Sequence, residues 1–470
     1  MNIPWNLDVN LKDVVLDFAW LSLLLIGGAV LRRYVRFFQR YLIPNNIIAG
    51  FLGLLLGAQL LDITGMAPER LGLYVYHLLA LVFIAVGLRQ EKSAWGSGPV
   101  SMGLSFVTTY LIQGAAGLLI ALGLVYTVMP DLFVGIGLLL PLGFGMGPGL
   151  AYTMGHSWEA YGFSGGGAVG LTFAAIGFLM AYFIGIPLVN RGIRRGYTTL
   201  ISDPDAISDA VRKGVYKNTP LRSAGNLTIA SEAMEPMAFQ VGLIGSLYLA
   251  TYGITYGLDR LMISGGLENF TATLWSFHFI LAAVITMVFR KLVDMTGRGY
   301  LIDRGLMTRA AGVFMDYLVA GSIAAITFQV VWDYWQPIVM MALVGTLSTY
   351  AWVRWLMPRA FVDYHFERFI AVFGQMTGTI NSGLVLVRVT DPEFETPVAQ
   401  DLVYGSGVAL LIGFPLLLVL NLPMNIFGNT LIGYWITLGL LLLYFVVLFI
   451  AWRLTGTLRM KADPLGRENR

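Results

Sequence analysis

There is not a single cysteine among the 470 residues, and this excludes thiol catalysis, cysteine-ligated zinc and disulfide staples at once. Charge is almost as scarce. Lys, Arg, Asp and Glu make up 12% of the chain and their balance is only +3, so a nucleic-acid partner has no electrostatic support. Just four histidines are present, and no Lys-Ser/Thr follows any glycine-rich stretch as a phosphate-cradling loop would require. What fills the space is apolar: 57% of residues are hydrophobic and mean hydropathy is +0.72, the composition of a polytopic membrane protein with no globular enzyme domain left over.

Apolar runs long enough to cross a bilayer, roughly 20 residues, are read at 14–31, 43–61, 74–88, 100–126, 166–189, 239–258, 274–289, 313–330, 337–357, 403–420 and 431–452. The expected fold class is therefore an all-α membrane protein with about 11 transmembrane helices. Met1 to Asp13 is polar and acidic and the first run ends in arginines, so that run is expected to stay as a helix and not to be cleaved as a signal.

Two stretches between the runs are irregular. Leu140-Pro-Leu-Gly-Phe-Gly-Met-Gly-Pro-Gly-Leu-Ala-Tyr152 has glycine at 143, 145, 147 and 149 and a proline at 148, which should prevent a regular helix. Phe373-Gly-Gln-Met-Thr-Gly-Thr-Ile-Asn-Ser-Gly-Leu384 interrupts a second apolar run. In lipid, broken backbone survives only where protein or a water-filled cavity satisfies it. Both segments, 133–152 and 369–389, are accordingly expected to be re-entrant hairpins and candidate sites. Glycines used only for helix packing would recur at a spacing of four, not two.

Arginine placement gives the orientation. Arg32, Arg33, Arg36 and Arg40 put the first loop in the cytoplasm and the N-terminus outside, and alternation then makes every basic stretch cytoplasmic, including Arg191 to Arg222, Arg290 to Arg309 and the C-terminal tail. Counting either hairpin as one crossing would reverse every later loop. Five crossings and a hairpin per half is an odd number of crossings, so the halves are expected to form inverted-topology repeats: 1–189 with hairpin 133–152, a cytoplasmic linker 190–238 containing Pro204, Pro220 and Pro236, 239–420 with hairpin 369–389, and an added C-terminal helix and tail, 421–470. Gly185-Ile-Pro187 and Gly413-Phe-Pro415 recur after the two hairpins.

The chain resembles the sodium/glutamate symporter family through Tyr41-Leu-Ile-Pro44 before a glycine-bearing second span, the Met146-Gly-Pro-Gly-Leu-Ala-Tyr152 tip, and Glu159-Ala-Tyr-Gly-Phe163 beyond it. The resemblance implies a secondary transporter, not an enzyme, in a bacterial inner membrane, moving glutamate or a related small carboxylate with sodium as coupling ion by alternating access. No cofactor is expected. The bilayer, sodium and the substrate are the expected partners, with a homodimer as a candidate assembly. A di- or hydroxycarboxylate carrier of the same architecture is the nearest rival, and an ion channel the rival of another class.

The candidate substrate- and ion-binding residues are Gly145, Met146, Gly147 and Gly149 in the first hairpin and Thr377, Thr379, Asn381, Ser382, Gly383 and Arg388 in the second. Thr379, Asn381 and Ser382 offer neutral oxygens of the kind a hard cation such as sodium takes; helix capping is their bland role. Arg388 could clamp a carboxylate, but its place at the expected boundary favours an interface anchor. Asp17, His77 and Asp316 are expected as solvent-facing caps at span ends. No acidic residue is expected in the middle of a span, where only Gln113 is clearly polar, and a proton relay would need one.

Overall fold

A computed structural model describes residues 10–89, 96–201, 209–215, 223–267, 270–392 and 394–459. Pro204 and Pro220 of the expected linker, and most of the tail, lie outside them. Every regular element among the described residues is helical. In chain order the principal helices are α1 (Leu11–Tyr34), α2 (Asn45–Leu56), α3 (Pro68–Leu88), α4 (Ser97–Thr127), α5 (Pro148–Ser157), α6 (Gly166–Phe183), α7 (Gly185–Arg194), α8 (Pro236–Ser264), α9 (His278–Met295), α10 (Arg304–Ala324), α11 (Trp335–Ala360), α12 (His365–Thr377), α13 (Ile380–Thr390), α14 (Val398–Asn425) and α15 (Leu431–Leu454).

Among the described residues eight spans, α1, α3, α4, α6 with α7, α8, α11, α14 and α15, are long and apolar enough to cross a membrane. The chain is a multi-pass membrane protein. The other runs expected to cross are helical over α2, α9 and α10 and fall below that measure. α2 has 12 residues, about 18 Å of helix, against the ~30 Å of a hydrocarbon core.

The chain divides into two compact units. The first takes residues 1–28, 45–92 and 216–325, and the second 29–44, 93–215 and 326–470. In the first, α2 packs on α10 through its glycines: a Cβ on Gly50 would lie 2.6 Å from Ile323 Cβ, and one on Gly53 2.8 Å from Ala324 Cβ. Asp17 is not a solvent-facing cap. It is 1% exposed and accepts from both Arg70 Nε and Nη2 at 2.8 and 2.9 Å and from the Tyr74 hydroxyl at 2.8 Å. The His77 ring meets the Tyr248 hydroxyl at 2.5 Å.

Asp316 likewise departs from expectation, for it stands midway along α10 and accepts from the Asn46 amide at 2.9 Å. The reason is a helix start the arginines concealed. Asp303 caps α10, its carboxylate accepting from Leu306 N–H at 2.7 Å, so the helix begins well before the apolar run at 313.

The second unit holds both irregular segments. Each is flanked by long helices, α4 before and α6 after the first, α11 before and α14 after the second. α4 and α14 approach closely: a Cβ on Gly405 would sit 2.6 Å from Met102 Cβ, and one on Gly103 2.7 Å from Val408 Cβ. At one end of this unit Arg368, 3% exposed at its side chain, pairs with Asp401 at 2.7 Å and Asp363 at 3.0 Å.

Candidate functional site

The first irregular segment is more helical than its glycines suggest. From Val134 to Met146 it winds through a 3-10 turn, a short α turn and a π turn, and only at Gly147 does the chain break, with φ +97° and ψ 167°. Backbone there is essentially restricted to glycine. Pro148 does not disrupt the helix that follows. It opens α5, where no N–H is needed and its fixed φ suits the first turn. The break thus lies at one residue, with arms Val134–Met146 and Pro148–Ser157.

The second segment breaks at Gly378 and Thr379, between α12 and α13. Thr379 is extended, φ −154° and ψ 179°, and stands as the N-cap of α13 without a side-chain cap bond. The two arms lie against each other at glycine: a Cβ on Gly383 would be 2.7 Å from the Ala371 carbonyl oxygen.

The two breaks meet. A Cβ placed on Gly147 would be 3.3 Å from Thr379 Cγ2, so the N-terminus of α5 and that of α13 adjoin. Helical bonding resumes with Ala151 N–H to the Gly147 carbonyl and Gly383 N–H to the Thr379 carbonyl. The N–H groups of Gly149 and Leu150, and of Ile380, Asn381 and Ser382, precede those first bonds and have no helical acceptor. Two helix N-termini brought together present a concentrated positive end, the arrangement that suits an anion.

Around this junction the polar groups are neutral. Gln113 on α4 donates to Thr349 Oγ1 on α11 and to the Met376 carbonyl on α12, both at 2.8 Å, which leaves its Oε1 buried without a partner. Gln375 donates to Ser406 Oγ at 3.0 Å and its Oε1 is likewise unpartnered, as is the buried Thr153 hydroxyl. Among the described residues no group of three or more His, Asp or Glu could hold a metal ion. Any cation here would meet amide, hydroxyl and carbonyl oxygens.

The expected site residues fall into four groups. Gly147, Thr379, Asn381 and Ser382 are at the junction. Thr379 and Asn381 have no side-chain hydrogen bond among the described residues, and Asn381 is exposed. Ser382 is buried and accepts from the Tyr182 hydroxyl of α6 at 3.2 Å. Gly145, Met146 and Gly149 flank the first break. The Gly145 carbonyl accepts from the Tyr110 hydroxyl at 3.3 Å, Met146 is half-buried, and Gly149 is buried in the first turn of α5. Thr377 and Gly383 face inward, the Thr377 hydroxyl donating to the Phe373 carbonyl at 2.7 Å.

Arg388 is not brought to the junction. It lies in the last turn of α13, eight residues or about 12 Å of helix beyond Ile380, with its guanidinium 4.9 Å from the Phe394 ring centroid. Tyr110, Tyr182 and Gln375 escaped the sequence reading. Their signal was position: Tyr110 is one helical turn from Gln113, Tyr182 stands three residues before Gly185 of the Gly185-Ile-Pro187 motif, and Gln375 is two residues from Thr377.

The family model for the sodium/glutamate symporters matches residues 11–251, just over half of the chain and including the whole first broken segment. Neither a curated protein nor a solved structure gives a match. This membrane protein belongs to the sodium/glutamate symporter family, a family of transporters and not of enzymes.

Proposed function

We propose that the chain is a sodium-coupled symporter that takes up glutamate or a closely related small carboxylate, and that the substrate carboxylate docks where Gly147 and Thr379 meet. The observation that carries this reading is the pairing of two half-helix N-termini at breaks with unpartnered Thr379 and Asn381 side chains beside them. Free N–H groups and positive helix ends hold the carboxylate without an arginine. Sodium takes neutral oxygens, for which Thr379, Asn381 and Ser382 are the first candidates, and the unpartnered oxygens of Gln113 and Gln375 add to the set.

In this reading both broken segments are re-entrant hairpins and the halves are inverted repeats. The order long helix, broken pair, long helix occurs once in each half and supports it. Transport proceeds by alternating access with the hairpin-bearing unit as the moving element, in a bacterial inner membrane, N-terminus outside. The helices of the first unit supply the scaffold and the candidate homodimer interface.

Uptake of labelled glutamate into proteoliposomes with and without an inward sodium gradient tests the proposal. Saturable, sodium-driven accumulation is expected. Accumulation that is competed by hydroxydicarboxylates and not by glutamate would move the substrate to the rival carboxylate class, and a non-saturating current would replace the carrier by a channel.

A further inference from the structure

One cavity, remote in sequence from both breaks, is basic. Gly185 and Pro187 interrupt the long span α6 to α7, and the last turn of α7 carries Arg191 and Arg194, followed by Arg195. Together with Arg40 and Tyr41 these line a cavity of about 440 Å³ in the second unit. Among the described residues no acidic one lines it, and Arg191, Arg194 and Arg195 have no acidic partner among them; Arg40 lies 5.9 Å from the Tyr41 ring centroid. Four guanidinium groups around one cavity repel one another, and two of them sit on a helix C-terminus that already attracts cations. All four side chains are exposed, so water screens their repulsion, and an anion seated among them would be attracted by every one.

Two observations say which anion. The cavity lies at the end of candidate membrane spans, since α7 terminates the Gly166–Arg194 span and Arg40 follows α1 within six residues. One side of it is aromatic: Tyr41 packs on Phe37 and Phe183 with ring centroids 5.3 and 5.0 Å away, and Phe37 remains 49% exposed. A forked cation recognises phosphate oxygens bidentately, while an aromatic flank suits the glycerol and upper acyl chain of a lipid and has no use for a free ion. Basic pockets at the ends of membrane helices are where anionic headgroups bind.

We propose that the Arg40, Arg191, Arg194 and Arg195 cavity is a specific binding site for the phosphate headgroup of an anionic phospholipid. The Gly185-Ile-Pro187 break then serves to turn α7 so that its arginines face Arg40, a use for that motif separate from transport at the hairpins.

Native mass spectrometry of the purified full-length protein, offered phosphatidylglycerol, phosphatidylcholine or inorganic phosphate, tests this. One phosphatidylglycerol is expected to be retained at least tenfold better than phosphatidylcholine, with Arg191→Gln and Arg194→Gln each weakening retention about fivefold. Lys291→Gln and Arg309→Gln, cations of the other unit, should leave it unchanged. Arg191→Lys with Arg194→Lys retains charge and guards against a folding defect, so it should keep part of the preference. Equal retention of the two lipids by the wild type, or equal weakening by the control variants, would overturn the site. Retention of inorganic phosphate without lipid preference would overturn the lipid assignment.

Discussion

Gly147→Ala is the most informative single substitution. At φ +97° and ψ 167° an alanine costs on the order of 1–3 kcal/mol in backbone strain. Its methyl would also stand 3.3 Å from Thr379 Cγ2, a contact that shifts of a few tenths of an ångström relieve. Strain therefore decides the outcome. If about 2 kcal/mol must be spent to hold the tip in its binding geometry, the competent population, and with it the apparent affinity for substrate, drops about 30-fold. Substrate titration of sodium-driven uptake in proteoliposomes reads this directly, and thermal unfolding of the purified protein reports the accompanying loss of stability. Adding Thr379→Ser removes Cγ2 while keeping the hydroxyl, and should recover little. Wild-type affinity and melting in Gly147→Ala would mean that the positive φ at this position carries no strain that matters to binding, and full rescue by Thr379→Ser would show that the contact and not the dihedral is at fault.

Thr379→Val keeps the shape and removes a hydroxyl that has no partner among the described residues, so affinity for substrate or sodium should fall by about 1–3 kcal/mol with melting unchanged; Asn381→Ala should behave alike, and a fall in melting at unchanged affinity would make both residues structural. Gln113→Leu strands the Met376 carbonyl, while the Thr349 hydroxyl keeps its bond to the Gly345 carbonyl, and the melting temperature should drop as about 2 kcal/mol is lost. Arg368→Met leaves Asp401 buried without its cation, which should cost about 3–5 kcal/mol in an unfolding titration. On this natively cysteine-free chain, Gly266→Cys should react with an impermeant maleimide from outside and Ser223→Cys should not, as the arginine pattern requires.

How far the sequence could be read depended on whether the decisive signal was local. Gly147 announced a break because no other residue supports its dihedrals, and Thr377 to Ser382 stood out as polar groups in an apolar run. Pro148 was the misleading residue, since the same ring that forbids a helix interior favours its first turn. α10 was misjudged because hydropathy follows composition while its start is set by the Asp303 cap, and that displaced Asp316 from the middle of the helix to its end. The partners of Asp17, Ser382 and Gly145 lie 53, 200 and 35 residues away. Distances of that kind are fixed by packing, which a single sequence does not record. That Gly147 and Thr379 adjoin is information of the same sort, and it turned two separate breaks into one site.

The most direct test of that site uses Asn381→Cys, the one exposed member of the junction, as the sole cysteine of the chain. Its rate of modification by a small maleimide is measured in proteoliposomes with neither ligand, with sodium, and with sodium and glutamate. Sodium and glutamate together should slow modification strongly, with half-protection at the concentration that half-saturates uptake. Modification at an unchanged rate under saturating sodium and glutamate, in a variant that still binds both, would place the substrate away from the junction of Gly147 and Thr379.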